Sequence, residues 1–198
     1  MPRRTDTRER MVRTAAELFR AQGYHATGLN QVLAEGGAPK GSLYFHFPGG
    51  KEQLAAEAVT LAGNELCDAL AAVLDSEPDS SKALAQALEL LGRDLLASDF
   101  RSGCPIATVA LDAASDSEPI RVACEDVYAR WQRLIAARTG DDDLATVVLA
   151  AIEGALLLAR TRRSLEPLHA VGARLGAFLG RPRPNRIRPP PPLSTRRR

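Results

Sequence analysis

Lys40, Ser42, Tyr44 and His46 occupy alternate positions of one short stretch, Pro39–Phe47, and Lys51 follows it. Each carries a positive charge or a polar N–H or O–H donor, which suits holding a phosphate oxygen. Bond-making chemistry would need a nucleophile beside a base, or a metal site. His25 and His46 lie in the N-terminal quarter, His169 stands far away, and none has a metal-spaced partner. No GxSxG, HExxH or CxxC occurs. The chain is therefore expected not to be an enzyme and to use no cofactor or metal.

The elements that must position these donors are short helices. Thr27 offers an oxygen to cap a helix starting at Gly28, with Leu29, Val32 and Leu33 on its apolar side. Gly36-Gly37 is expected to end it in the left-handed conformation. A second helix is predicted over Pro39–Phe47, with proline in its first turn and Leu43 and Phe47 on one face. Gly37 and Gly41 read as places where backbone can approach backbone. Pro48-Gly49-Gly50 stops the helix. An earlier helix, predicted to reach Gln22, starts at a capping-box pair, Asp6 and Glu9. It buries Val12, Ala15, Ala16 and Phe19 and braces the motif. A helix–turn–helix with a polar, basic second helix is a shape that enters a DNA major groove.

The run Pro39-Lys40-Gly41-Ser42-Leu43-Tyr44-Phe45-His46-Phe47, with Gly23-Tyr24, Thr27 and Lys51-Glu52, closely resembles the TetR family of one-component repressors. Phe47-Pro48-Gly49-Gly50-Lys51 and Gly103-Cys104-Pro105-Ile106 resemble its LmrA/YxaF-type branch, whose members govern drug-efflux genes. The resemblance implies that Lys40, Tyr44, His46 and Lys51 hold phosphates and that Thr27 adds one through its cap. It places Gly41, Ser42 and Tyr44 nearest the bases. The recognition helix lacks the Arg, Asn or Gln of bidentate base contacts, although Asn30 and Gln31 stand on the preceding helix. Part of the specificity is therefore expected from van der Waals contact and DNA shape.

Charge is unevenly spread. Residues 1–51 carry a net +4, residues 52–180 a net −9 and residues 181–198 a net +7, within a total of +2. A basic head on an acidic body puts a polyanion-binding surface at the N-terminus. Cys67, Cys104 and Cys124 show neither metal nor disulfide spacing, which fits a reducing cytoplasm. The charged N-terminus lacks the apolar core of a signal peptide, and no apolar run is read as a membrane span.

The remaining sequence is Ala/Leu-rich and is expected to be helical throughout. The predicted fold class is all-α, with about nine helices. A three-helix DNA-binding domain spans 1–50, a ligand-binding and dimerisation domain spans 51–180, and a disordered Arg/Pro-rich tail spans 181–198. A long fourth helix from Gly50 to about Leu74 would join head to body. Later helices are predicted over 81–97, 104–114, 119–138, 142–163 and 165–179. The 142–163 segment is apolar all round and carries Ala150, Ala151, Gly154 and Ala155, which permit close helix approach. The family resemblance gives the last two helices the role of a four-helix homodimer interface. Cys104, Asp112, Trp131 and Glu153 are candidates to line a pocket for a small-molecule effector, as well as being ordinary core or surface positions. The expected function is a dimeric repressor on a palindromic double-stranded operator, released by a ligand. The alternative is a DNA-binding regulator without an effector, constitutive or redox-responsive.

Overall fold

The structure is a computed structural model that describes residues 4–179. The expected tail and residues 1–3 lie outside them. The described residues form α1 (Arg4–Gln22), α2 (Leu29–Glu35), α3 (Leu43–His46), α4 (Gly50–Ser76), α5 (Ser80–Ala97), α6 (Ala107–Ala113), α7 (Glu118–Thr139), α8 (Asp142–Arg162) and α9 (Glu166–Leu179), with no strand among them. The all-α expectation holds, and the long helix entering the body is present.

Met11, Val12, Ala15 and Phe19 of α1 recur at helical spacing and are buried with Val32, Leu33, Leu43, Phe47 and Leu54. α4 packs on α1 at one end and on α7 beyond it. The α4–α7 crossing is close because Gly63 has no side chain: a Cβ there would lie 2.4 Å from Val127 Cγ1. Trp131 Nε1 donates to the Gly63 carbonyl at 2.9 Å and ties the two helices together. Asp79 caps α5 by accepting from the amides of Ser81 and Lys82, and Asp141 caps α8 by accepting from Leu144.

Several local expectations change. α1 already runs at Arg4, so Asp6 and Glu9 lie within it and pair with Arg10 and Arg13 one turn on, in place of a capping box. α6 begins at Ala107, not Cys104. The Cys104 Sγ instead accepts from the amides of Ile106 and Ala107, at 3.4 Å each, covering free N–H groups at the helix start.

α8 has two apolar faces. Ala145, Val148, Ala155, Leu156 and Ala159 are buried within the chain. Val147 and Leu157, 58% and 57% exposed, lie on the outer face with Ala150, Gly154 and Leu158. By length and composition α8 could cross a membrane, with a mean hydropathy of 1.7, contrary to the expectation that no segment would. Its apolarity has a local cause: the inner face is core, and the helix packs on α7 and α9.

Candidate nucleic-acid interface and body cavity

The polar stretch after α2 is more tightly turned than predicted. Pro39 does not open a helix. Its carbonyl accepts from the Ser42 amide at 2.9 Å and from Ser42 Oγ at 2.7 Å, which closes a turn. Only Leu43–His46 is α-helical, anchored by buried Leu43 and Phe47. Lys40 and Gly41 stand exposed on the turn and Ser42 is half-buried. Tyr44 is 68% exposed, while His46 is half-buried and stacks edge-on to Phe45 at 5.0 Å.

Lys51, in the first turn of α4, places Nζ 4.4 Å over the Tyr24 ring. Partial burial holds its ammonium below the usual lysine value. Lys40, Gly41, Ser42, Tyr44, His46 and Lys51 thus follow one another along the turn, α3 and the α4 start. Phe45, 59% exposed, belongs beside them and was missed. The available signal was its position between Leu43 and Phe47, off the buried face.

Thr27 corrects the sequence reading. Gly28, not Thr27, is the N-cap of α2, and no side chain caps it. Thr27 is 0% exposed. Its hydroxyl donates to the Gly23 carbonyl at 2.7 Å and accepts from Gln22 Nε2 at 3.2 Å. It fastens the loop after α1 and offers nothing outward. Gln31 is also engaged, by Gln22 at 2.8 Å and Glu35 at 2.9 Å, whereas Asn30 is exposed.

The glycines also divide their work. Gly37 takes φ +60° and Gly50 φ +64°, so the turn and the start of α4 both use the left-handed region. Gly36, at φ −76°, is the close-approach residue: a Cβ there would lie 2.9 Å from the Val32 carbonyl and 3.7 Å from Met11 Cα. Gly37 and Gly41 have open space where a Cβ would project, so neither mediates backbone approach.

Three of the four proposed pocket residues converge in the body. Cys104, Trp131 and Glu153 line a narrow cavity of about 90 Å³ with Leu66, Leu91 and Leu156 at one end. Arg138 and Thr139 line it about two helical turns away along α7. Burial pushes the Glu153 carboxyl up, with the Cys104 thiol opposing by hydrogen bonding. Burial also raises the Cys104 and Tyr128 groups, and it pushes the Cys124 thiol up to about 11. Reactive thiols have lowered pKa values, so these cysteines are built as core groups.

Asp112 is placed elsewhere. Its carboxylate accepts from the Tyr24 amide at 3.0 Å, and its carbonyl lies 2.8 Å from His25 Nε2. It borders a shallower depression beside Cys104 and Glu153. Next to it, Arg20 donates to the Gly103 carbonyl at 2.7 Å and pairs with Asp94 at 3.2 Å, and Arg160 donates to the Ala21 carbonyl at 3.2 Å. The end of α1 is therefore fastened to the body by α5, α6, α8 and the Gly103 loop. Sequence reasoning missed this seam because its partners lie 74 to 139 residues apart.

Comparison with known proteins agrees with this architecture. Residues 12–58 match the bacterial regulatory proteins described as the tetR family. Residues 80–174 match the C-terminal domain described as transcriptional regulator LmrA/YxaF-like. The chain is 38% identical to the HTH-type transcriptional regulator LmrA of Bacillus subtilis, over 82% of this chain and 91% of that one. It is 36% identical to the HTH-type transcriptional regulator YxaF of the same organism, over 85% and 92%. The reduced form of Escherichia coli NemR superposes with a TM-score of 0.75 at 23% identity, covering 85% of this chain and 95% of that one.

Proposed function

The chain belongs to the TetR family of DNA-binding transcriptional regulators, in its LmrA/YxaF-like branch, and from that premise we propose that it is a homodimeric repressor released from a palindromic operator by a small molecule. One observation carries the ligand-responsive part. Cys104 lines the body cavity, and the adjacent Gly103 holds Arg20 of α1. A molecule lodged against Cys104 and Glu153 thus presses on the residue next to the head's anchor.

In this reading Lys40, Tyr44, His46 and Lys51 hold phosphates, and Gly41, Ser42, Tyr44 and Phe45 approach base edges. Thr27 acts indirectly by fixing the loop before α2. The outer face of α8 and its neighbour α9 pair with a second copy. That pairing sets two heads in successive major grooves, about 34–36 Å apart. The ligand dissociates the complex by binding better to an arrangement whose head spacing misfits the operator. The relevant location is the cytoplasm, and efflux or drug-resistance genes are the targets the branch suggests.

Selection of bound DNA from a random pool tests this reading. Enrichment of an inverted repeat with half-sites one helical turn apart is expected. Recovery of no two-fold sequence would overturn the dimeric-operator reading.

A further inference from the structure

On the reading that the body cavity receives an effector, we propose that its ligands are amphiphilic monocations, with an apolar body ending in an ammonium or amidinium group that pairs with Glu153. The cavity wall is almost wholly apolar, built from leucines of α4, α5, α7 and α8 with Trp131 between them. Glu153 is the only carboxylate among the lining residues. The salt bridges of the described residues do not include it.

The nearest candidate cations hydrogen-bond to backbone carbonyls and form no ion pair with Glu153. Arg138, toward the far end, donates to the carbonyls of Glu77 at 2.6 Å and Pro78 at 3.3 Å. Arg160, bordering the adjacent depression, donates to the Ala21 carbonyl. The groups facing Glu153, the Cys104 thiol and the Tyr128 hydroxyl, are uncharged donors. Burial disfavours the ionised Glu153, so its charged form lacks a counter-charge that an incoming cation supplies. Trp131 lines the same cavity, held edge to face against Tyr128 at 5.6 Å, and aromatic faces also attract cations. An anionic ligand would face Glu153 unpaired at this end. At the other end it would meet the Arg138 Nε, a buried donor without a hydrogen-bond partner.

Octylamine, octanol and octanoate share one apolar chain and differ in the charge of the head group. Each is titrated into the full chain at neutral pH and followed by the emission of Trp131, the single tryptophan, with calorimetry alongside. Octylamine is expected to bind at least tenfold more tightly than octanol, with octanoate weakest. In Glu153→Gln the amine is expected to lose that advantage while octanol binding stays the same. The wild-type ranking stands as a test even if that variant folds poorly. Equal binding of amine and alcohol, or tightest binding of octanoate, overturns the cation assignment and leaves the cavity reading intact. Absence of both heat and an emission change for all three overturns the cavity reading itself.

Discussion

Thr27 and Tyr44 are both hydroxyl-bearing residues of the head, and their surroundings give them opposite tasks. Tyr44 projects into solvent; Thr27 is closed in, with both its hydrogen bonds made inside the protein. Tyr44→Ala, His46→Ala and Lys51→Ala are each expected to weaken operator binding, and Lys51→Ala, which removes a charge, to reduce the magnitude of the salt slope by about 0.9. Binding isotherms at several salt concentrations check this, and unchanged affinity in all three would mean the DNA-facing surface lies elsewhere. Lys51→Ala also removes the contact with the Tyr24 ring, worth about 0.5–1 kcal/mol of stability. Thr27→Val is expected to leave the salt slope alone and lower unfolding free energy by about 1–3 kcal/mol, the penalty for losing a buried hydrogen-bond partner. Urea denaturation separates that outcome from a phosphate role, under which operator affinity would fall and stability would not. The polar and exposed character of the residues along 40–51 was legible from their types. The inward turn of the Thr27 hydroxyl was not, because Gln22 and Gly23 draw it in through loop geometry.

At the scale of elements, α4 is the member shared by head and body, and its contacts say where it can give. Pro48-Gly49-Gly50, which ends the second helix of the motif, is the joint at the start of α4, and two glycines would suggest that it flexes. Gly50 is instead held at φ +64°, and a Cβ on Gly49 would meet Gln53 Cβ at 3.1 Å. Gly50→Ala is therefore expected to lower stability by about 1–2 kcal/mol, seen in thermal or urea melts, rather than merely stiffen the joint. Further along, Gly63→Ala drives a methyl into Val127 and is expected to destabilise by about 1–3 kcal/mol. Val127→Ala in the same chain is expected to recover part of that loss, and a double-mutant cycle without coupling would refute the contact. The caps Asp79 and Asp141 emerge only from the structure, whereas element order and most boundaries were readable from apolar spacing. The shortness of α3 was not, because the Pro39 carbonyl is taken twice by Ser42. Nor was the position of Asp112, whose partner Tyr24 lies 88 residues away and leaves no local trace.

For the whole molecule, the proposed dimer rests on the outer face of α8. Gly154 is exposed, with open space where a Cβ would project, so Gly154→Arg starts its side chain toward solvent in the single chain. Placed in an interface along this face, the same arginine buries a charge against apolar surface. Sedimentation is expected to find the wild type dimeric at micromolar concentration and the variant monomeric. Circular dichroism is expected to show equal helix content, and mobility-shift assays to show loss of specific DNA binding. A monomeric wild type would remove this face from the mechanism. In such a dimer the basic charge over 1–51 and the acidic charge over 52–180 would set the heads toward DNA and the bodies away from it.

The same helix has a consequence for synthesis. A chain leaving the ribosome carries α8 before either of its faces is covered, and an apolar segment in that condition invites aggregation. Asp141, Asp142 and Asp143 stand at its start and Arg160, Arg162 and Arg163 at its end. These charges complement the helix dipole in the folded protein. Before folding they act as gatekeepers, keeping the apolar stretch short of the charge-free flanks on which intermolecular stacking grows.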